Sequence, residues 1–279
     1  MLYDDEDQRI DAVLDDVAQA PPHIQVLDEY GVSHKLWFID TSSLIKRIVG
    51  EMSDKRLIIA DGHHRYETAL AYRDEQRSQV SSPAAPHEWL PMTFFNMQSP
   101  ALAVLPTHRV VRRLGDFDGE RFFRQASEFF DIEEAPQDSA GFAKALSAAG
   151  RERLTIGVAP LGGRCVLLRL KLMDLSGVIS DLSARQRSLD VVVLHRLLIE
   201  RCLGITEEAV KHESNITYVR ELGEALRTVS AGDAQIAFLL NPVRLQQLRE
   251  IVYEGDVMPQ KSTDFYPKVL SGLVLYSLD

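Results

Sequence analysis

Apolar residues recur along this chain at two periods, and the alternation between them sets out its elements. Ile10, Val13, Leu14 and Val17 fall three and four apart, which predicts a helix over residues 10–17. Two short strands follow at 24–28 and 34–39, with Gly31 separating them as a hairpin. Asp40 or Thr41 caps a helix whose apolar face is Leu44, Ile45, Ile48 and Val49. The apolar run 57–60 predicts a buried strand and 67–75 has helix composition, so residues 61–65 fall on the turn between them.

Beyond that turn, residues 78–88 are rich in Ser, Pro and Ala and read as a loop, and 89–97 as a second buried strand. Residues 103–112 form a strand broken by Pro106, presenting Thr107, His108 and Arg109 at the break. Over 117–150 the pattern predicts two helices, the first carrying Phe122, Phe123, Ala126, Phe129 and Phe130 as a core stripe. Residues 154–158 and 165–172 make a hairpin across Gly162 and Gly163. A helix over 188–203 has Ser188 as cap and Gly204 as stop. Within it His195 reads as a core or interface histidine, with a cleft shared with Asp190 as the alternative. Strand 216–219, helix 222–229, strand 234–240 and a helix over 242–253 with Pro at its first position complete the alternation. Residues 258–268 show no period, and 272–276 read as a terminal strand. The expectation is an α/β fold, with mixed α+β as the alternative, in two lobes at 1–115 and 116–279. Segment 256–279 is expected to return to the site of the first lobe.

Composition narrows the function classes. A chain of 279 residues with 45% apolar content buries a full core. Its net charge of −10 opposes general affinity for nucleic acid, which is not an expected partner. Cys165 and Cys202 have no ligand spacing and are too few for a disulfide framework, pointing to a reducing cytoplasm. No apolar run of membrane-spanning length occurs and the N-terminus is acidic where a signal peptide would be basic, so no membrane partner is expected.

Three polar clusters could carry chemistry. In the first, Gly62 allows close backbone approach to a ligand, the following helix start supplies free N–H groups, and Arg65 can grip a phosphate with two parallel hydrogen bonds. Asp61 is a candidate magnesium ligand or base, and His63 and His64 complete the turn. Zinc is disfavoured, because adjacent histidines are rarely both ligands and no further ligand motif lies nearby. The second cluster is Thr107, His108 and Arg109; the third is Gln260, Lys261, Ser262 and Thr263 with Lys268. Lys261-Ser262-Thr263 is not a P-loop, since the preceding glycine pattern is missing. The bland readings are an ordinary tight turn with a surface ion pair, a polar strand end, and a hydrogen-bonded loop. Taken together, the three sets suit phosphoryl transfer, in which cations neutralise the charge that builds on the moving group.

The stretches Ile59-Ala-Asp-Gly-His-His-Arg-Tyr-Glu-Thr-Ala-Leu70, Leu105-Pro-Thr-His-Arg109 and Met258-Pro-Gln-Lys-Ser-Thr263 through Tyr266-Pro-Lys268 resemble the bacterial family called domain of unknown function 1015. The resemblance runs over essentially the whole chain. The central Asp-Gly-His-His-Arg is similar to the phosphate-binding turn of the ParB and sulfiredoxin superfamily, which includes nucleotide-dependent free-serine kinases. That implies a ParB/sulfiredoxin-like nucleotide-binding lobe beside a second α/β lobe, with Gly62, His64 and Arg65 on nucleotide phosphates. His63 stands where sulfiredoxin has its reactive Cys, so a sulfiredoxin reaction is not implied.

The resemblance further implies ATP or ADP with Mg2+, and phosphoryl transfer to or from a small hydroxylated metabolite, serine leading. On this reading Asp61, His63 and His108 are catalytic, and Thr107, Arg109, Gln260, Lys261, Ser262, Thr263 and Lys268 join the phosphate clamp. Two alternatives stand beside it: a ParB-like regulatory module that binds nucleotide without metabolite chemistry, and a metal-dependent phosphatase. Members of the family have a longer N-terminal region, and in the kinase-like relatives a carboxylate from it contributes to catalysis. The opening Leu2-Tyr-Asp-Asp-Glu looks internal to that pattern. The expectation is therefore a fragment, a late start, or a chain that has lost activity.

Overall fold

The computed structural model describes residues 1–78, 82–270 and 272–278. It is a mixed α/β protein that divides into two units, one of residues 1–103 with 265–279 and one of residues 104–264. Residues 79–81 of the expected loop lie outside the described residues.

The first unit contains, in chain order, strand β1 (Leu2–Tyr3), helix α1 (Arg9–Ala18), strands β2 (Ile24–Leu27) and β3 (Ser33–Leu36), helices α2 (Ser42–Met52) and α3 (His63–Arg77), and strand β4 (Phe95–Asn96). β2 and β3 form the expected antiparallel hairpin, with Gly31 in the left-handed region at φ 78°. β1 pairs in parallel with β4. The run 57–60 contributes a bridge rather than a strand: Leu2 and Ile58 exchange backbone hydrogen bonds of 2.7 and 2.9 Å, and only Ile58 of that run is buried. A two-residue partner supplies ladder positions for little more than one residue, so the apolar run finds no second edge. The buried core of this unit is small, and a polar staple fixes it. Asp5 is 1% exposed, accepts from the Ile10 N–H at 2.9 Å and from Lys55 at 3.3 Å, and its own backbone is bracketed by the Asn96 amide at 3.1 Å on each side. Helices α2 and α3 bury no residue.

The division between units falls inside two short strands, β5 (Ala103–Leu105) and β12 (Asp264–Tyr266). The second unit is built on β6 (His108–Val111), α4 (Gly119–Ala126), β7 (Phe130–Glu134), α5 (Ser139–Glu152), β8 (Thr155–Pro160) and β9 (Val166–Leu170). It continues through α6 (Ala184–Arg187), α7 (Asp190–Val193), a π-helix over Leu194–Cys202, α8 (Glu207–Lys211), β10 (Ile216–Val219), α9 (Leu222–Ser230), β11 (Ile236–Leu239) and α10 (Leu245–Tyr253). Six strands form one sheet in the order β10-β6-β11-β8-β9-β7, with every pair antiparallel.

Both faces of this sheet are covered, which is why its strands read as continuous apolar runs rather than as alternating ones. Val111, Ile156, Val158, Leu168, Ile236 and Phe238 pack into one core with α4, the π-helix and Ile251 of α10. Their strand neighbours Val110, Ala159, Leu167, Ala237 and Leu239 pack into a second core with α5 and α9 through Phe142, Leu146, Ala225 and Val229. The side chains of successive residues leave a strand on opposite faces, so one short sequence feeds two cores.

Several expected elements differ. Of the two helices expected over 117–150, the second forms as α5, but the first ends at Ala126 and its expected end becomes the strand β7: Phe129 and Phe130 enter the core as the spacing requires, yet residues 130–134 pair with β9. The helix expected over 188–203 starts at Asp190 and becomes a π-helix at Leu194, while the Ser188 hydroxyl donates to the Arg185 carbonyl at 2.6 Å. Gly204 ends it with φ 69°, as expected. The last helix begins at Leu245 rather than at Pro242. Of residues 89–97 only Phe95–Asn96 is a strand, and 272–276 forms none.

Candidate functional site

In the first unit, Gly62 is the N-cap of the fifteen-residue helix α3, in the left-handed region at φ 85°. His63, His64 and Arg65 therefore occupy the first helical turn, and no side chain caps it. A Cβ on Gly62 would lie 2.9 Å from Arg65 Nη2, so the guanidinium folds back across the glycine at the point where the helix N–H groups are free. Arg65 also pairs with Asp61 at 3.5 Å, and His64 with Glu67 at 3.6 Å. All are well exposed; the His64 side chain is fully so. The turn is thus an open, solvated surface with both charges loosely held. Lys268, in the C-terminal segment of the same unit, is exposed.

The second unit holds the second cluster and residues 260–263 of the third. His108 and Arg109 are successive residues of β6 and leave it on opposite faces. His108 is 2% exposed, and its Nδ1 accepts from the Leu240 N–H at 3.1 Å, which places the ring proton on Nε2. Burial, with Arg109 beside it, pushes the imidazole down to about 4, so it is neutral. Arg109 is 1% exposed. Its Nη groups donate to the carbonyls of Thr107 and, at 2.8 Å, Lys261, while Nε has no partner. The guanidinium lies over the Tyr218 ring at 5.3 Å, and Lys261 Nζ approaches the same ring at 5.5 Å. Desolvation pushes Arg109 down to about 10, still a cation at neutral pH. Ser262 is buried and donates to the Pro259 carbonyl, Thr263 is half-buried, and Gln260 and Lys261 are exposed.

Thr107, Arg109 and Ser262 line one cavity of about 220 Å3, together with Asp190, Asn241 and Arg244. The structure therefore brings Thr107 and Arg109 of the second cluster together with Ser262 of the third, while Lys268 belongs to the first unit. Asp190 opens α7 and is the group here with the most displaced carboxyl: burial pushes it up to about 7, against a partly offsetting attraction from Arg244. His195, in the π-helix, is half-buried with its Nε2 buried and unpartnered, and desolvation followed by the charges of Arg109 and Arg196 takes its ring down to about 3. Asn241 and Arg244 carry no motif. Their one sequence signal is position, immediately after a buried strand, where loops present functional groups. Among the described residues no group of three or more His, Cys, Asp or Glu could hold a metal ion. Asp61 alone fits the single-carboxylate contribution that magnesium usually takes from a protein when phosphates supply other ligands. No helix among the described residues is long and apolar enough to cross a membrane.

Among solved structures, a free serine kinase in complex with AMP is similar over 95% of this chain and 82% of that chain, at 11% identity and a TM-score of 0.38. A conserved hypothetical protein from Pyrococcus furiosus is similar over 95% of this chain and 85% of that one, at 11% identity and a TM-score of 0.40. No curated protein matches. Residues 1–210 match the family described as protein of unknown function (DUF1015), and the chain belongs to that family.

Proposed function

We propose that this protein is a nucleotide-dependent phosphotransferase acting on a small hydroxylated metabolite, with serine or phosphoserine as the first candidate and ATP or ADP as the nucleotide. The observation that carries the reading is the open start of α3. Gly62 is left-handed, the helix has no side-chain cap, and the Arg65 guanidinium lies across the glycine. Free helix N–H groups and an exposed arginine converging on one glycine suit a phosphate, since both favour negative charge and the glycine leaves room for close approach. In this reading Gly62, His64 and Arg65 hold phosphate, Asp61 is the magnesium ligand or base, and His63 stands at the edge of the turn. Magnesium, when bound, would neutralise charge on the phosphates.

Arg109, Lys261, Thr107, Ser262, Thr263, Gln260 and Lys268 are proposed as further phosphate-binding groups. Arg109 has the strongest support among them, because it is a buried cation with an unpartnered Nε. His108 enters as the residue that fixes the strand end beside Arg109, through its bond from the Leu240 N–H. The test is incubation of the purified chain with serine and labelled ATP or ADP, and the reverse reaction from phosphoserine. Transfer of label that is lost in Arg65→Gln supports the reading. Absence of turnover together with absence of any thermal shift from either nucleotide ends it.

A further inference from the structure

The cavity of the second unit contains a charge arrangement that phosphoryl transfer at α3 does not explain. Arg109 is buried, and its guanidinium is held by two backbone carbonyls rather than by a carboxylate. A buried cation without an opposite charge is costly, and an anion entering the cavity would offset that cost. Arg244 also lines the cavity; it is exposed and donates to the Gly150 carbonyl at 3.0 Å. The remaining charged groups of the lining are largely engaged elsewhere: Glu152 with Arg169 at 2.6 Å and Arg153 with Asp131 at 2.9 Å, with Arg151 adding positive charge. The exception is Asp190, which faces the same space and has no ion-pair partner within 4.0 Å among the described residues. Ionised, it would repel an incoming anion; protonated, it would donate to it.

We propose that this cavity is a proton-linked oxyanion site, in which a phosphate-, sulfate- or carboxylate-like group binds against Arg109 and Arg244 while Asp190 takes up a proton. The proposal rests on the reading above only in treating Arg109 as an anion-binding residue, and not on any transfer reaction. Burial already holds the Asp190 carboxyl up to about 7, so the linkage operates across neutral pH. Arg244 is the charged side chain that acts on Asp190, with Arg109, Arg151, Arg153 and Glu152 in the same lining.

Sulfate is the probe, because it does not titrate in this range. The full chain is titrated with sulfate at pH 6 and pH 8 by calorimetry, in an Arg65→Gln background so that the turn at α3 does not contribute. The expected result is binding up to about tenfold weaker at pH 8 than at pH 6, the limit set by loss of one linked proton from a group near 7. Asp190→Asn should keep binding and lose the pH dependence, and Arg244→Gln should weaken binding at both pH values. Arg109→Lys should weaken it too, and Arg244→Gln serves alone if that buried variant does not fold. Absence of sulfate binding, pH dependence that survives in Asp190→Asn, or unchanged affinity in Arg244→Gln overturns the proposal. Sulfate binding linked to pH, found with neither phosphotransfer nor a thermal shift from nucleotide, would leave this site standing and remove the transferase; transfer without such binding would do the reverse.

Discussion

His108 is a buried neutral imidazole, and that makes a sharp forecast for stability in acid. Its ring lies at about 4 in the folded chain, displaced by burial and then by the Arg109 charge, against an ordinary value of 6.5. The sign follows from proton counting. Between these two values the unfolded chain binds a proton that the folded chain refuses, so stability rises with pH and is lost as pH falls below 6.5. The structural cause is specific: Nδ1 accepts from the Leu240 N–H at 3.1 Å, and protonation would set two donors against each other inside the sheet. For a shift of this size the linked loss is about 1 kcal/mol at pH 6, about 2 kcal/mol at pH 5 and about 3 kcal/mol at pH 4. His108→Asn offers an amide oxygen near the position of Nδ1 and has nothing to titrate. Urea unfolding of both chains at pH 7, 6, 5 and 4 isolates this contribution, since the carboxylates and His195 cancel in the difference. The variant should lose stability less steeply, so that the gap between the two curves moves in its favour by about 3 kcal/mol from pH 7 to pH 4. Parallel curves would refute the reasoning, and would mean that His108 either becomes solvated or takes up its proton in the fold at no cost.

Gly62→Ala should reduce stability by about 1 to 2 kcal/mol in chemical denaturation, since the residue sits at φ 85° and the new Cβ would meet Arg65 at 2.9 Å. A neutral result would show that residue 62 is not held in the left-handed region in solution. Arg65→Gln should leave unfolding unchanged within about 0.5 kcal/mol, because its pair with Asp61 is exposed, yet weaken nucleotide binding by about tenfold to a hundredfold through loss of a charge-assisted bond. An unaltered dissociation constant would remove Arg65 from the phosphate site. His195→Leu should raise stability at pH 7 by about 1 kcal/mol, because it replaces a buried, unpartnered Nε2 with an apolar side chain of similar bulk. A loss of stability would point to a polar partner for that nitrogen, such as a bound water.

Most elements of the second unit were legible because its core demands them. Residues 216–219 and the helix near 222–229 stand where the apolar spacing puts them, and the hairpin across Gly162 and Gly163 forms with β8 and β9 antiparallel. β7 was not legible, since Phe129 and Phe130 satisfy a helical stripe and a strand edge equally well until the partner strand is known. The run 57–60 failed for the opposite reason, an apolar segment with only a two-residue neighbour to pair with.

Local chemistry could be read from the chain alone. The glycine turn and the helix after it are local features and were legible, although the helix starts at His63, earlier than the composition of 67–75 indicated, so that His63, His64 and Arg65 lie in its first turn. The same holds for family membership, which the family match carries over residues 1–210 without coordinates. What the tertiary structure decided is the electrostatic state of residues whose neighbours come from distant segments. Arg109 meets the carbonyl of Lys261, His108 meets Leu240, and Asp190 shares a cavity with Arg244. Burial and charge in that cavity are sums over strands and helices that lie far apart along the chain. No window of sequence contains them, and so the sequence could name Arg109 as a cation but not as a buried one without a carboxylate.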